Sequence, residues 1–127
     1  MIKNLTTEEY GVYITCFALN SKGIPQGVAV LEPSMRDKCN IAYIATDPNV
    51  RGKGLCTRMI TSISDNIQEF MGYYREINEI TALVRTDNTR IQKVLKKCDF
   101  VCKPTYGLFQ NGYNIYTLTP KNNEMER

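Results

Sequence analysis

The chain has 127 residues, 43% of them hydrophobic and 23% charged, and 16 Lys+Arg against 13 Asp+Glu leave a formal net charge of +3. That length suits one domain spanning residues 1–127 and excludes a large barrel or a two-domain enzyme. The composition excludes disorder as the main state, and the mild positive excess falls short of the basic stripe of a dedicated nucleic-acid binder.

Residues 1–9 are polar and read as a short segment ahead of the first clear strand. They hold no apolar run, so no signal peptide is expected. From Tyr10 to Leu19 apolar and β-branched residues fill both alternating sets, which predicts a strand covered on both sides. Asn20-Ser21-Lys22-Gly23 marks a turn, and Gln26 to Glu32 is a second strand in hairpin with the first. A polar loop at 33–38 leads to a third strand from Cys39 to Thr46, stopped by Asp47-Pro48-Asn49. Leu55, Met59, Ile63, Ile67 and Phe70 then form one face of a single helix ending near Gly72. Glu79 to Thr86 is a short strand. Asp87-Asn88-Thr89 is a cap signal for a second helix carrying Ile91, Val94, Leu95 and Cys98. Phe100 to Phe109 and Tyr113 to Thr119 are strands flanking Asn111-Gly112, a strong two-residue hairpin signal. Residues 121–127 form a polar tail. The order β-β-β-α-β-α-β-β implies a mixed sheet with helices packed on it, an α/β or α+β domain.

Five cysteines and no His leave no pair with zinc-ligand spacing, so no metal site is expected. Reduced thiols in a cytoplasmic protein are the expected state. No apolar run approaches the ~18 residues of a spanning helix, so no membrane partner is expected.

Chemistry concentrates in Asp47-Pro48-Asn49-Val50-Arg51-Gly52-Lys53-Gly54-Leu55-Cys56-Thr57-Arg58, a strand end, a loop with two glycines and a helix start. Glycines let backbone approach a ligand closely. The first helical turn offers unpaired N–H groups and partial positive charge. An anion, usually a phosphate, suits such a place. The bland alternative is a strand–helix turn closed by glycine. Neither the P-loop nor the dinucleotide fingerprint fits, because Gly54 is followed by Leu55-Cys56 and the last fingerprint position is Thr57.

The run from Ile41 to Cys56 resembles instead the GNAT superfamily of acetyl-CoA-dependent N-acetyltransferases, whose loop reads Arg/Gln-x-x-Gly-x-Gly/Ala. Arg51 and Gly54 match, and Cys56 stands in place of Gly or Ala. Asn88 after a strand, followed by Leu95-Lys96-Lys97-Cys98-Asp99-Phe100, is similar to a second family segment, with Cys98-Asp99 for x-Gly. The resemblance covers most of the chain. It implies a GNAT-like acyl-CoA N-acyltransferase fold with a shortened N-terminal region, and acetyl-CoA as cosubstrate. It implies that Ile44, Ala45 and Thr46 present backbone groups to the pantetheine and thioester. Arg51, Gly52, Lys53, Gly54, Leu55, Cys56 and Thr57 would wrap the pyrophosphate, and Asn88 would hydrogen-bond the pantetheine arm. The implied reaction is attack of a primary amine, on a small molecule or a protein, upon the thioester.

The catalytic residues are not inherited with that resemblance. The family's usual Tyr acid is Leu95 here, and its Glu base position is Asn40. Glu32 and Tyr106 are weaker candidates for base and acid, each with an ordinary structural role as its rival reading. The family's two N-terminal helices have no room ahead of the first strand. The acceptor site is therefore either open, suiting a large substrate, or completed by a second subunit, with Tyr73, Tyr74, Tyr113 and Tyr116 as interface candidates. A catalytically silent acyl-CoA-binding regulatory module is the alternative function, and a small nucleic-acid-binding domain a more distant one.

Overall fold

A computed structural model describes residues 5–10, 13–34, 37–71, 76–103 and 112–120, with 5–10 and 71 by backbone alone. The strands are β1 (Leu5–Tyr10), β2 (Tyr13–Leu19), β3 (Pro25–Ser34), β4 (Lys38–Thr46), β5 (Glu79–Arg85), β6 (Val101–Lys103) and β7 (Tyr113–Leu118). The helices are α1 (Leu55–Asp65), α2 (Ile67–Met71) and α3 (Thr89–Lys97), with a 3-10 turn at Pro48–Val50. The strands form one seven-stranded mixed sheet in the order β1-β2-β3-β4-β5-β7-β6. Among the described residues only β4 and β5 pair parallel. The mixed sheet with helices packed on it is the architecture the sequence implies.

Two boundaries differ from the sequence reading. The single strand expected from Tyr10 is a hairpin, in which β1 pairs antiparallel with β2 from Leu5↔Ala18 to Tyr10↔Tyr13. Leu5-Thr6-Thr7-Glu8-Glu9-Tyr10 is too polar to announce a strand, yet it lies at the sheet edge, where charged residues are at home. The single helix expected to Gly72 is broken at Asn66. The Asn66 backbone N–H and side-chain amide both donate to the Ser62 carbonyl, at 3.1 and 2.8 Å. A side chain that competes for backbone carbonyls in this way ends a helix. Gly72, Tyr73, Tyr74 and Tyr106, and the tail 121–127, lie outside the described residues.

Other signals read as expected. Asn20 accepts from the Lys22 and Ile24 N–H groups, at 2.8 and 3.0 Å, closing the β2–β3 turn. Asn88 caps α3 by accepting from the Ile91 N–H at 3.3 Å. α3 ends in a Schellman motif. Phe100 N–H donates to Leu95 C=O and Asp99 N–H to Lys96 C=O, with Asp99 left-handed at φ +71 where glycine is usual. β6 and β7 do pair, but not in the register of a tight Asn111-Gly112 turn. Such a turn would set Lys103 opposite Pro120; Lys103 instead faces Ile115.

Strands β2 to β5 and β7 each send one face to the core. Ile14, Cys16, Ala18, Ala29, Leu31, Cys39, Ile41, Ile80, Ala82, Val84 and Tyr116 are buried. They pack with Met59, Ile60 and Ile63 of α1, Ile67 of α2 and Leu95 of α3. Gly27 lets α1 come close, since a Cβ there would lie 2.5 Å from the Met59 sulfur. Gln92 ties α3 to its neighbours: its amide nitrogen donates to the Arg85 and Thr86 carbonyls, and its oxygen accepts from the Tyr116 hydroxyl. The opposite face of the sheet carries no helix among the described residues. Tyr13, Tyr43, Leu83, Val101 and Tyr113 stand exposed there.

Candidate active site

The sheet opens in its middle. β4 and β5 pair only at Lys38↔Glu79, Cys39↔Ile80 and Asn40↔Thr81. Beyond Asn40, β4 stays paired with β3, and beyond Thr81, β5 stays paired with β7. The parting begins at a bulge. Val30 faces Tyr43 while Leu31 faces Ile41, so Ala42 is one extra residue on β4. A bulge bends its strand and strengthens the local twist. It also breaks the alternation, and Ala42 and Tyr43 are exposed in succession. The edge of β4 from Ile41 to Thr46 thus faces a gap with no strand on it among the described residues. A backbone edge in that state seeks hydrogen-bond partners.

The gap is a cleft of two connected chambers that share Ile44, Asn88 and Ile91. The upper, about 310 Å³, is lined by Ile41–Ile44 on one wall and Ala82–Arg85 on the other, with Ile60, Leu95 and Tyr113. The lower, about 250 Å³, is lined by Ile44, Ala45, Thr46, Arg51, Cys56, Asn88, Arg90, Ile91 and Val94. The upper is mostly apolar, and the lower holds two guanidinium groups.

The loop beneath the lower chamber is built by its own sequence. Asp47 accepts from the Asn49 N–H at 2.9 Å and starts the 3-10 turn, with Pro48 leading it. Gly52 and Gly54 are left-handed at φ +82 and +76, a region costing other L-residues roughly 1–2 kcal/mol. Gly54 is also the N-cap of α1 and gives no side-chain cap. The first N–H groups of α1 therefore stay available to an anion. Arg58 folds back and donates to the Lys53 carbonyl at 2.8 Å, latching the loop.

Of the residues singled out from sequence, Ile44, Ala45, Thr46, Arg51, Cys56 and Asn88 line the cleft together. Gly52, Lys53 and Gly54 form the loop beside it. Leu55 is buried in the core, and the Thr57 carbonyl faces the Cys98 sulfur at 3.7 Å. Glu32 is half-buried on the helix-free face, directly opposite Asn40. Asn40 in turn accepts from the Thr81 hydroxyl at 3.0 Å. Leu95, at the position of the family acid, is buried and closes the cleft floor.

Sequence reasoning missed Ala42, Tyr43 and Arg90. Arg90 sits in the first turn of α3, where a cation gains nothing from the helix dipole, and that misplacement is its only signal in the sequence. Burial pushes the Cys56 thiol up, with Arg90 pulling it down and Cys98 adding to the rise. Burial likewise raises Cys98, partly offset by the Thr61 hydroxyl. Thiols held protonated are poor nucleophiles. Among the described residues no group of three His, Cys, Asp or Glu is placed to hold a metal ion, and no helix is long and apolar enough to cross a membrane.

A parted strand pair, an apolar upper chamber and a glycine loop feeding a helix N-terminus define an acyl-CoA transferase fold. The family model described as an acetyltransferase (GNAT) domain matches residues 1–101, and the chain belongs to that family. Among curated proteins no sequence matches. Among solved structures, mutant forms of the spermidine/spermine N-acetyltransferase SpeG from Vibrio cholerae superpose with a TM-score of 0.71 at 12% identity, over 91% of this chain and 72% of that one. The Campylobacter jejuni N-acetyltransferase PseH in complex with acetyl coenzyme A gives 0.69 at 14% identity, over 87% and 70%. At such identities the likeness is one of fold.

Proposed function

We propose that the protein transfers an acetyl group from acetyl-CoA to a primary amine. The observation that carries this is the end of β4–β5 pairing at Asn40↔Thr81, which leaves a strand edge facing a cleft. Acetyl-CoA, when bound, supplies an activated acyl thioester. Ile44, Ala45 and Thr46 would hydrogen-bond its pantetheine arm through their backbone, one N–H polarising the thioester carbonyl. The N–H groups at the start of α1, with Arg51 and Arg90, would hold the pyrophosphate. Asn88 already spends its carbonyl oxygen on the α3 cap, so its amide nitrogen is the group that could meet the arm.

Glu32 is our candidate for accepting the ammonium proton. It lies one row from Tyr43 on the helix-free face, a diagonal of about 7–8 Å between Cα atoms, so a water would complete the path. Glu32→Gln is expected to lower kcat at neutral pH by at least about tenfold and to leave CoA affinity unchanged. Parent-like turnover in that variant removes Glu32 from the mechanism. A silent acyl-CoA-binding module is the second reading, favoured by the buried Leu95 at the acid position. Thiol release from acetyl-CoA, measured over a panel of amines, separates the two.

A further inference from the structure

The walls of the upper chamber say what kind of amine would enter it, an inference that rests on the transferase reading above. Its mouth opens on the helix-free face between Tyr43 and Leu83, with Tyr113 and Arg85 beside them. Tyr43 is 58% exposed and Leu83 and Tyr113 are each 38% exposed, so rings and a branched alkyl group form the rim. No Asp or Glu lines either chamber among the described residues. The charged group at the upper mouth is the Arg85 guanidinium, which Asp87 meets at 2.9 Å. On the same face Glu79 is paired with Lys38 at 3.6 Å, whereas Glu32, opposite Asn40 on β3, makes no salt bridge among the described residues.

A polyamine brings two or more ammonium groups. Each must keep its water or find a carboxylate, because an unpaired charge against an apolar wall is strongly disfavoured. One carboxylate in reach serves one ammonium. A flat hydrocarbon body, by contrast, gains from burial against Tyr43, Leu83 and Tyr113. We infer that the acceptor is a monoamine carried on an apolar or aromatic skeleton, and not a polyamine.

The test compares 2-phenylethylamine with spermidine as acceptors for acetyl-CoA at physiological ionic strength, following thiol release. The parent is expected to favour 2-phenylethylamine in kcat/KM by at least about tenfold. Tyr43→Ala should reduce that preference. Leu83→Glu, at an exposed position that tolerates a charge, should reverse part of it by admitting spermidine. Spermidine used as well as or better than 2-phenylethylamine overturns the inference. So does a ratio unmoved by both variants while they melt like the parent and bind CoA. Should neither amine turn over, calorimetric binding of each to the CoA complex decides by the same ratio, and no binding of either overturns it. Calorimetry of CoA alone reports separately on the transferase reading, and absent binding overturns both.

Discussion

Gly54 and Asp99 share a backbone conformation and differ in how well they suit it. Both are left-handed, and only glycine reaches that region without a Cβ penalty. A Cβ at Gly54 would sit 3.5 Å from the Arg58 guanidinium, ordinary contact, so the strain is in the backbone. Gly54→Ala is therefore expected to lower stability by about 1–2 kcal/mol. Gly54→Glu carries the same strain and also sets a negative charge beside the anion site. It should weaken CoA binding at least ~100-fold, well beyond the Ala variant. Equal CoA affinity in the Glu and Ala variants, read by calorimetry on folded protein, would show that the loop is only a turn. Asp99→Gly runs the other way and should raise the melting point, by up to about 1 kcal/mol in stability; a lower melting point would mean the carboxylate does more than occupy a cap. The glycine loop was legible in the sequence because Gly52 and Gly54 punctuate it. The Asp99 conformation was less so: its only signal is that it stands where the resembling family segment has Gly, and an aspartate there does not itself announce a left-handed backbone.

At the scale of elements the site rests on one extra residue. Ala42 lets β4 keep its partners on β3 while turning away from β5. Deleting Ala42 would let Ile41 and Tyr43 follow each other with their β3 partners unchanged, straightening the strand. The protein is expected to stay folded, by circular dichroism, and to lose at least about tenfold in CoA affinity as β4 and β5 close on each other. Unchanged affinity would mean that the helices, not the bulge, hold the cleft open. The bulge was hidden in the sequence because Ile41-Ala42-Tyr43-Ile44-Ala45 reads as an unbroken apolar run, in which alternation cannot be followed. Asn66 was hidden differently: the spacing from Ile63 to Ile67 continues through it, and only its side-chain bond to Ser62 stops α1. By contrast α3 was plain from its cap at Asn88 and its apolar stripe.

Across the whole molecule, stability is tied to neutral thiols. Cys16 is fully buried, and burial pushes its thiol from 9.0 up to about 12. The folded state then holds a proton that the unfolded state releases above pH 9. Its contribution is complete below that pH and is lost as pH rises from 9 towards 12, at roughly 1 kcal/mol per pH unit. Cys16→Ser should flatten alkaline denaturation in that window, and an unchanged alkaline limb would refute the assignment. The core that buries Cys16 was only half visible, because both alternating sets of β2 are apolar and predict cover on two sides, whereas the structure buries only the Ile14, Cys16 and Ala18 face. The three-rung junction of β4 with β5 could be seen only once the strands were paired. That junction makes the sheet two panels, β1–β4 and β5–β7–β6, joined along their shared border by only three residue pairs. A ligand arm lying in the cleft would bond to one panel and pack on the other, as mortar does between bricks. CoA at 100 times its dissociation constant should add about 2.7 kcal/mol, and slowed hydrogen exchange should appear on both sides of the seam together. The substrate would then finish the sheet that the chain leaves open.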